Sequence, residues 1–155
     1  MVELEASDIT PSINQTTGVI TFSVDYFTPL GDYVATITCG EAEPKEVTIT
    51  VTAPTVTELS YSGAGIRITA LNRNYSVTIS RLPMFSKGTI TYGLSGYDEH
   101  FAIARSAEES FDSRTGTYQD KFTIKQISAT QATEDITFNF ACGDATVSVP
   151  ITPYN

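Results

Sequence analysis

The chain has 155 residues, with 9 Lys+Arg against 18 Asp+Glu for a formal charge of −9, and 41% hydrophobic against 17% charged residues. That composition holds enough apolar material for a core and too little charge for a disordered acidic tail. An acidic surface repels phosphate backbones and anionic lipid, so no nucleic-acid partner is expected, and with no run of roughly 18 to 20 apolar residues no membrane insertion is expected either.

Taken in chain order, the start Met1-Val2-Glu3-Leu4-Glu5 has no basic n-region and no apolar h-region. The expectation is a chain used without export, or one cut from a longer secreted protein. Period-two alternation then begins at Val19–Tyr26, with Ile20, Phe22, Val24 and Tyr26 facing one way and Thr21, Ser23 and Asp25 the other, the pattern of a half-buried antiparallel strand. Tyr33–Cys39 repeats it with Tyr33, Ala35, Ile37 and Cys39 inward, and Val47–Thr52 with Val47, Ile49 and Val51 inward. Further strands are expected at Val56–Tyr61, Gly65–Leu71, Tyr75–Ser80, Gly88–Leu94, Phe101–Ala104, Gly116–Ile124, Glu134–Cys142 and Ala145–Thr152. Nearly every gap holds Gly, Pro, Asn or Asp, and the abundant threonine favours pleated surfaces. Only Ala102–Asp112 and Ile127–Asp135 lack alternation and could hold a helical turn. Short, evenly spaced strands with turn signals read as an all-β sandwich or barrel.

An internal repeat organises these strands. Thr36-Ile37-Thr38-Cys39-Gly40-Glu41-Ala42, followed by an alternating run and Pro54, reads like Asn139-Phe140-Ala141-Cys142-Gly143-Asp144-Ala145, followed by another and Pro153. Upstream, Thr17-Gly18 and the strand after it match Thr115-Gly116 and its strand if two residues are inserted in the second copy. The expected organisation is a partial module over 1–53 with about four strands, and a complete sandwich over 54–155 with about eight.

Residues 55–155 resemble the bacterial and phage immunoglobulin-like modules found in tandem in Bacteroidetes surface proteins and phage structural proteins. The residues that carry the resemblance are Leu94-Ser95-Gly96-Tyr97 leading to Phe101-Ala102-Ile103, the run from Gly116 through Tyr118 and Phe122 to Ile124, and the closing hairpin Cys142-Gly143-Asp144-Ala145-Thr146-Val147-Ser148-Val149. The resemblance implies tandem Ig-like antiparallel β-sandwiches and a spacer or interaction role, without enzymatic activity and without a cofactor. Neither copy holds the paired cysteines and tryptophan of antibody domains.

The residues that could carry chemistry each have a plain structural reading. Cys39 and Cys142 end alternating strands before a Gly turn and are expected to be small buried hydrophobes, both reduced. His100 follows Asp98-Glu99, so a triad with Ser95 or Ser106 can be written down, but no nucleophile elbow accompanies it. Gly63-Ala64-Gly65 lacks the third glycine of a dinucleotide fingerprint and reads as a hairpin turn. The acidic groups Glu41/Glu43, Asp98/Glu99 and Glu108/Glu109/Asp112 match no calcium motif. Asn14 and Asn74 stand in glycosylation sequons. Tyr26-Phe27, Tyr61, Tyr92, Tyr97 and Tyr118 could stack on a sugar, so a glycan is a secondary expectation, and Lys121 with Asn139 is the one pair on neighbouring expected strands that an isopeptide bond could use.

Residues 1–54 carry one base and eight acids, net −7, and residues 55–155 net −2. Complementary fields of this kind steer subunit contacts. A partial module also leaves Ile20, Phe22, Val24, Ile37, Val47, Ile49 and Val51 as an apolar face with unpaired sheet edges. That face is the expected interaction site, covered by a protein partner, a neighbouring subunit or an upstream segment through strand addition or sheet packing; the alternative expectation is a minimal four-stranded layer docked on the second copy through the Ala53-Pro54 joint. The functional expectation is a non-enzymatic structural or interaction protein of a phage virion, as a capsid decoration or accessory subunit assembled in the host cytoplasm. The alternative is a segment of a secreted Bacteroidetes adhesin or glycan-binding protein of the cell surface.

Overall fold

The computed structural model describes residues 9–25 and 27–155; the expectations for the first five residues and for Tyr26 lie outside the described residues. The fold is all-β. Twelve strands and a 3-10 turn at Asp98–His100 make up its regular structure, with no α-helix among the described residues. The chain divides into two compact units, Met1–Ala53 and Pro54–Asn155.

The first unit contains β1 (Ile9–Ile13), β2 (Ile20–Val24), β3 (Gly31–Ile37) and β4 (Lys45–Val51). They form two separate antiparallel hairpins, β1-β2 and β3-β4. The second unit contains β5 (Glu58–Ser60), β6 (Ile66–Arg67), β7 (Asn74–Leu82), β8 (Thr91–Leu94), β9 (Phe101–Asp112), β10 (Thr117–Gln126), β11 (Ile136–Cys142) and β12 (Ala145–Thr152). One of its sheets has the order β5-β7-β10-β9 and the other β6-β12-β11-β8. All ladders are antiparallel except that of β6, which runs parallel to β12.

The two sheets of the second unit enclose one core, a β-sandwich arrangement. Alternation supplies it from both sides: Val77 and Ile79 from β7, Phe122 and Ile124 from β10, Ile136, Phe138 and Phe140 from β11, and Val149 and Ile151 from β12 are all buried. Rings lock the layers together. Phe122 of one sheet lies 5.0 Å from Phe140 and 6.0 Å from Phe138 of the other, and Tyr92 of β8 meets Phe122 edge-on at 4.9 Å, geometries in which aromatic pairs attract beyond their buried area.

Three local expectations fail here. Ala102–Asp112 holds no helical turn; it lies within the twelve-residue strand β9. Its inward positions are Ile103, Arg105, Ala107 and Glu109, so the alternation is present but its inward partners include charge, which hydrophobic periodicity does not register. Ile127–Asp135 is likewise without a helix and joins β10 to β11, burying Thr130 and Ala132. Gly63-Ala64-Gly65 is not a hairpin turn, because β5 and β6 belong to different sheets and the segment carries the chain from one to the other.

The β1-β2 and β9-β10 hairpins share one turn. In the first, Asn14 Oδ1 accepts the Thr16 amide at 3.0 Å, and the Gly18 amide donates to the Asn14 carbonyl at 2.8 Å with φ +68° at the glycine. In the second, Asp112 Oδ1 accepts the Arg114 amide at 3.0 Å, and the Gly116 amide donates to the Asp112 carbonyl at 2.8 Å with φ +67°. The side-chain oxygen mimics a backbone turn, and glycine tolerates the left-handed residue that closes it.

One difference separates the turns: the Arg114 amide, aided by the Arg114 charge and by Thr115 and Gln119, holds the Asp112 carboxyl below its ordinary value, whereas Asn14 does not titrate. A depressed carboxyl contributes stability that is present above the ordinary carboxylate range and lost as pH falls through the lowered value. Asp112→Asn should therefore leave the turn intact while flattening the acid limb of the melting temperature, read by circular dichroism between about pH 5 and pH 2.

Candidate interaction face

The strands of the first unit alternate cleanly. Tyr33, Ala35 and Ile37 on β3 and Val47, Ile49 and Val51 on β4 are half-buried, while Asp32, Val34, Thr36, Thr48 and Thr50 are exposed. On β2, Ile20 and Phe22 are half-buried, and Val24 is 43% exposed. Thr28 is the one buried residue among the described residues of this unit, and no apolar side chain is buried there. Two-stranded hairpins are marginal in water without a covering layer, and among the described residues each strand here is hydrogen-bonded to a neighbour strand on one side only. The described residues of the unit thus join a half-buried apolar face to strands paired on one side.

The second unit shows the same ladders covered. Ala35 faces Val47 and Tyr33 faces Ile49 across β3-β4. Phe138 faces Val149 and Ile136 faces Ile151 across β11-β12. The latter four residues are at most 2% exposed, and the former four only half-buried. The turn that follows β3 carries a left-handed glycine, Gly40 at φ +56°, after Cys39, just as Gly143 at φ +58° follows Cys142.

The cysteines part company in burial. Cys142 is buried, but Cys39 is exposed, because β3 ends at Ile37 and the chain leaves the ladder before reaching it. The expectation of two inward thiols is corrected on this point. Cys39 should react with a thiol reagent within seconds to minutes in native buffer, at a rate near that of a free thiol, and Cys142 only on unfolding, which mass spectrometry of pulse-labelled protein can separate.

Other sequence candidates do not converge on a site. His100 Nδ1 lies 2.8 Å from Ser128 Oγ, and its Nε2 lies 3.5 Å from Glu99 on the surface. Neither Ser95 nor Ser106 is engaged there: Ser95 Oγ accepts the Thr137 amide and Ser106 Oγ donates to the Lys121 carbonyl. Lys121 and Asn139 lie in different sheets, correcting their reading as neighbours, and Asn139 accepts from Ser148 Oγ at 2.7 Å. Among the described residues no three His, Cys, Asp or Glu side chains group to hold a metal ion.

The sequence reading missed an ionic cluster inside the second unit. Arg81 and Asp120 are fully buried and joined at 2.8 Å, and Arg81 Nε also donates to the Gly88 carbonyl at 2.8 Å. Two register shifts in the β9-β10 ladder turn β9 inward here. They bring the Glu109 amide to Asp120 Oδ1 at 2.8 Å and its carboxylate to the Gly88 amide at 3.0 Å. Gly88 tolerates no larger residue in place, since a Cβ would stand 2.6 Å from Cys142 Sγ. The available signal was alternation itself: Val77, Ile79 and Arg81 fall on one face of β7, as do Asp120, Phe122 and Ile124 on β10. A buried pair stripped of one member leaves an uncompensated charge, so Asp120→Ala should cost about 3–5 kcal/mol in urea denaturation.

Compared with protein-family models and with curated proteins, the chain matches none.

Proposed function

We propose that this chain is a non-enzymatic structural and interaction protein built from immunoglobulin-like modules, a complete one over 54–155 and a partial one over 1–53. The observation that carries the reading is strand order. A sheet ordered β5-β7-β10-β9 facing one ordered β6-β12-β11-β8 corresponds to the A-B-E-D and G-F-C layers of an immunoglobulin sandwich. The β6 strand along β12 adds the short edge segment of the first strand to the second layer. The face of the first unit is where such a protein meets its neighbour.

Within that class the specific reading is a virion protein, a capsid decoration or accessory subunit, supported by the resemblance to phage structural modules. Capsid and portal genes beside the coding gene would support it; export and glycan-utilisation genes would replace it with the surface-adhesin reading. One observation favours that second reading. Phe85 stacks on Phe111 with centroids 5.7 Å apart, Phe111 meets Tyr118 at 5.1 Å, and Lys87 Nζ sits 4.5 Å over the Tyr118 ring. Phe111 and the adjacent Met84 are exposed, so one end of the sandwich offers an aromatic row of the kind that stacks on sugar faces. If the adhesin reading holds, a glycan array gives a signal that Phe111→Ala reduces about two- to tenfold, the loss of one stacking contact; a virion subunit gives none.

A further inference from the structure

Resting on the spacer role that the modular reading gives the sandwich, we propose that residues 126–132 form a recognition socket for an extended segment carrying asparagine. Its occupant is residues 153–155 of the same chain, and its action is to fix the direction in which the chain leaves β12.

Backbone pairing runs out where the socket begins. Ile151 and Thr152 of β12 still pair with Ile66 and Arg67 of β6. The Thr152 carbonyl accepts the Ile68 amide at 2.9 Å, and Thr152 Oγ1 donates to Asp135 Oδ1 at 2.7 Å. Pro153 then has no N–H to offer a ladder. Gln126, the last residue of β10, takes over as though its side chain were a neighbouring strand. Its Oε1 accepts the Tyr154 amide at 2.8 Å, and its Nε2 donates to the Tyr154 carbonyl at 2.6 Å. The Thr130 amide reaches the same carbonyl at 3.3 Å. Asn155 is read through its side chain: Oδ1 accepts from Thr130 Oγ1 at 2.8 Å, and Nδ2 donates to the Ala132 carbonyl at 2.9 Å.

Burial and hydrogen bonding mark this as recognition rather than space-filling. Gln126 is fully buried, and an amide is costly to bury, so a residue needed only for packing there would be apolar. Both of its side-chain polar atoms are engaged, with Nε2 donating to the Ser128 carbonyl at 2.9 Å as well. The segment that follows is irregular yet buries Thr130 and Ala132, and buried irregular backbone has to find partners. Its Ser128 carbonyl, Thr130 amide and Ala132 carbonyl find them in Gln126, Tyr154 and Asn155. The Thr130 hydroxyl accepts the Ala132 amide at 3.4 Å while donating to Asn155. The socket therefore presents one donor and one acceptor side by side, the complement of a carboxamide. Aspartate would set a second acceptor against the Ala132 carbonyl, and alanine would leave both groups without their partner. At Tyr154 only the main chain is read; its side chain is 42% exposed. With Ile151, Thr152, Tyr154 and Asn155 all tied to the sandwich and proline fixing its own φ between them, the segment has no free joint.

The test is nitrogen-15 relaxation and amide exchange on the full chain, unchanged and with Asn155→Asp or Gln126→Leu. In the unchanged chain the amides of Tyr154 and Asn155 should be as ordered as the strands, with order parameters of about 0.8 or more. Asn155→Asp should lower the residue-155 value below about 0.6 without disturbing β5–β11. Gln126→Leu should release both residues, the Tyr154 amide exchanging at least about 100-fold faster. Because residue 155 is exposed, Asn155→Asp gives an answer even where the Gln126 variant fails to fold. For the exit direction, a small folded domain fused directly after Asn155 should tumble together with β5–β12, and separately from them once Asn155→Asp is introduced. Mobile residues 154 and 155 beside ordered strands in the unchanged chain would overturn the socket and leave the modular reading standing. Undiminished order at residue 155 in Asn155→Asp would overturn the recognition of asparagine, and independent tumbling of the fused domain without that substitution would overturn the fixing of direction. Loss of order in β5–β12 of the unchanged chain would overturn the socket and the modular reading together.

Discussion

A β-sheet with one apolar face has to cover that face, and in this protein the cover is aromatic. Phe122 from one sheet and Phe138 and Phe140 from the other interlock at centroid distances of 4.3–6.0 Å, with the aliphatic side chains of β7 and β12 closing around them. Remove either sheet and the other has nothing to pack against, so the eight strands of the second unit stand or fall together. The first unit follows the same alternation with smaller side chains, Ala35 and Ile37 where the second has Phe138 and Phe140, and without a covering layer among its described residues.

Charge is placed where the aromatic cover ends. Arg105 of β9 lies 5.5 Å over the Tyr92 ring and 5.4 Å over that of Phe122, donates to the Ile90 carbonyl and pairs with Glu108 at 2.5 Å. Its guanidinium spans the flank between the edge strands β8 and β9, where neither sheet has a neighbour. The buried Arg81–Asp120 pair beside it is costly to desolvate, and what offsets that cost is the Gly88 carbonyl from the segment before β8 together with the Glu109 amide from the irregular stretch of β9. The cluster therefore ties β7, β9 and β10 to the segment before β8, and fixes their register as well as their burial.

Most of the architecture was legible in the sequence because period two is a strong signal where the inward residues are apolar. Ile20, Phe22, Val77, Ile79, Phe122, Ile124, Phe138 and Phe140 all declared their strands. The failures share one cause. On β9 the inward residues are Ile103, Arg105, Ala107 and Glu109, so a hydrophobic pattern was invisible although the geometric one was intact. Cys39 looked inward because alternation says nothing of where a ladder stops, and β3 stops at Ile37. The short strand β1 was missed because Pro11 and Ser12 interrupt its β-signal, and it is held by pairing to β2. On β2, β3 and β4 the alternation was readable, placing Ile20, Phe22, Ile37, Val47, Ile49 and Val51 on the half-buried side, but not the exposure of Val24, which lies at the end of β2 where the ladder stops.

The irregular β9 has a further consequence for assembly. It is the longest edge strand of the second unit, and its two register shifts and inward charges spoil it as a template for another strand; the remaining edges, β5, β6 and β8, are two to four residues long. The second unit accordingly offers no good template for a further strand. A sandwich whose one long edge is irregular and whose other edges are short stays a single sandwich as concentration rises, where a long regular edge would seed sheet growth from molecule to molecule.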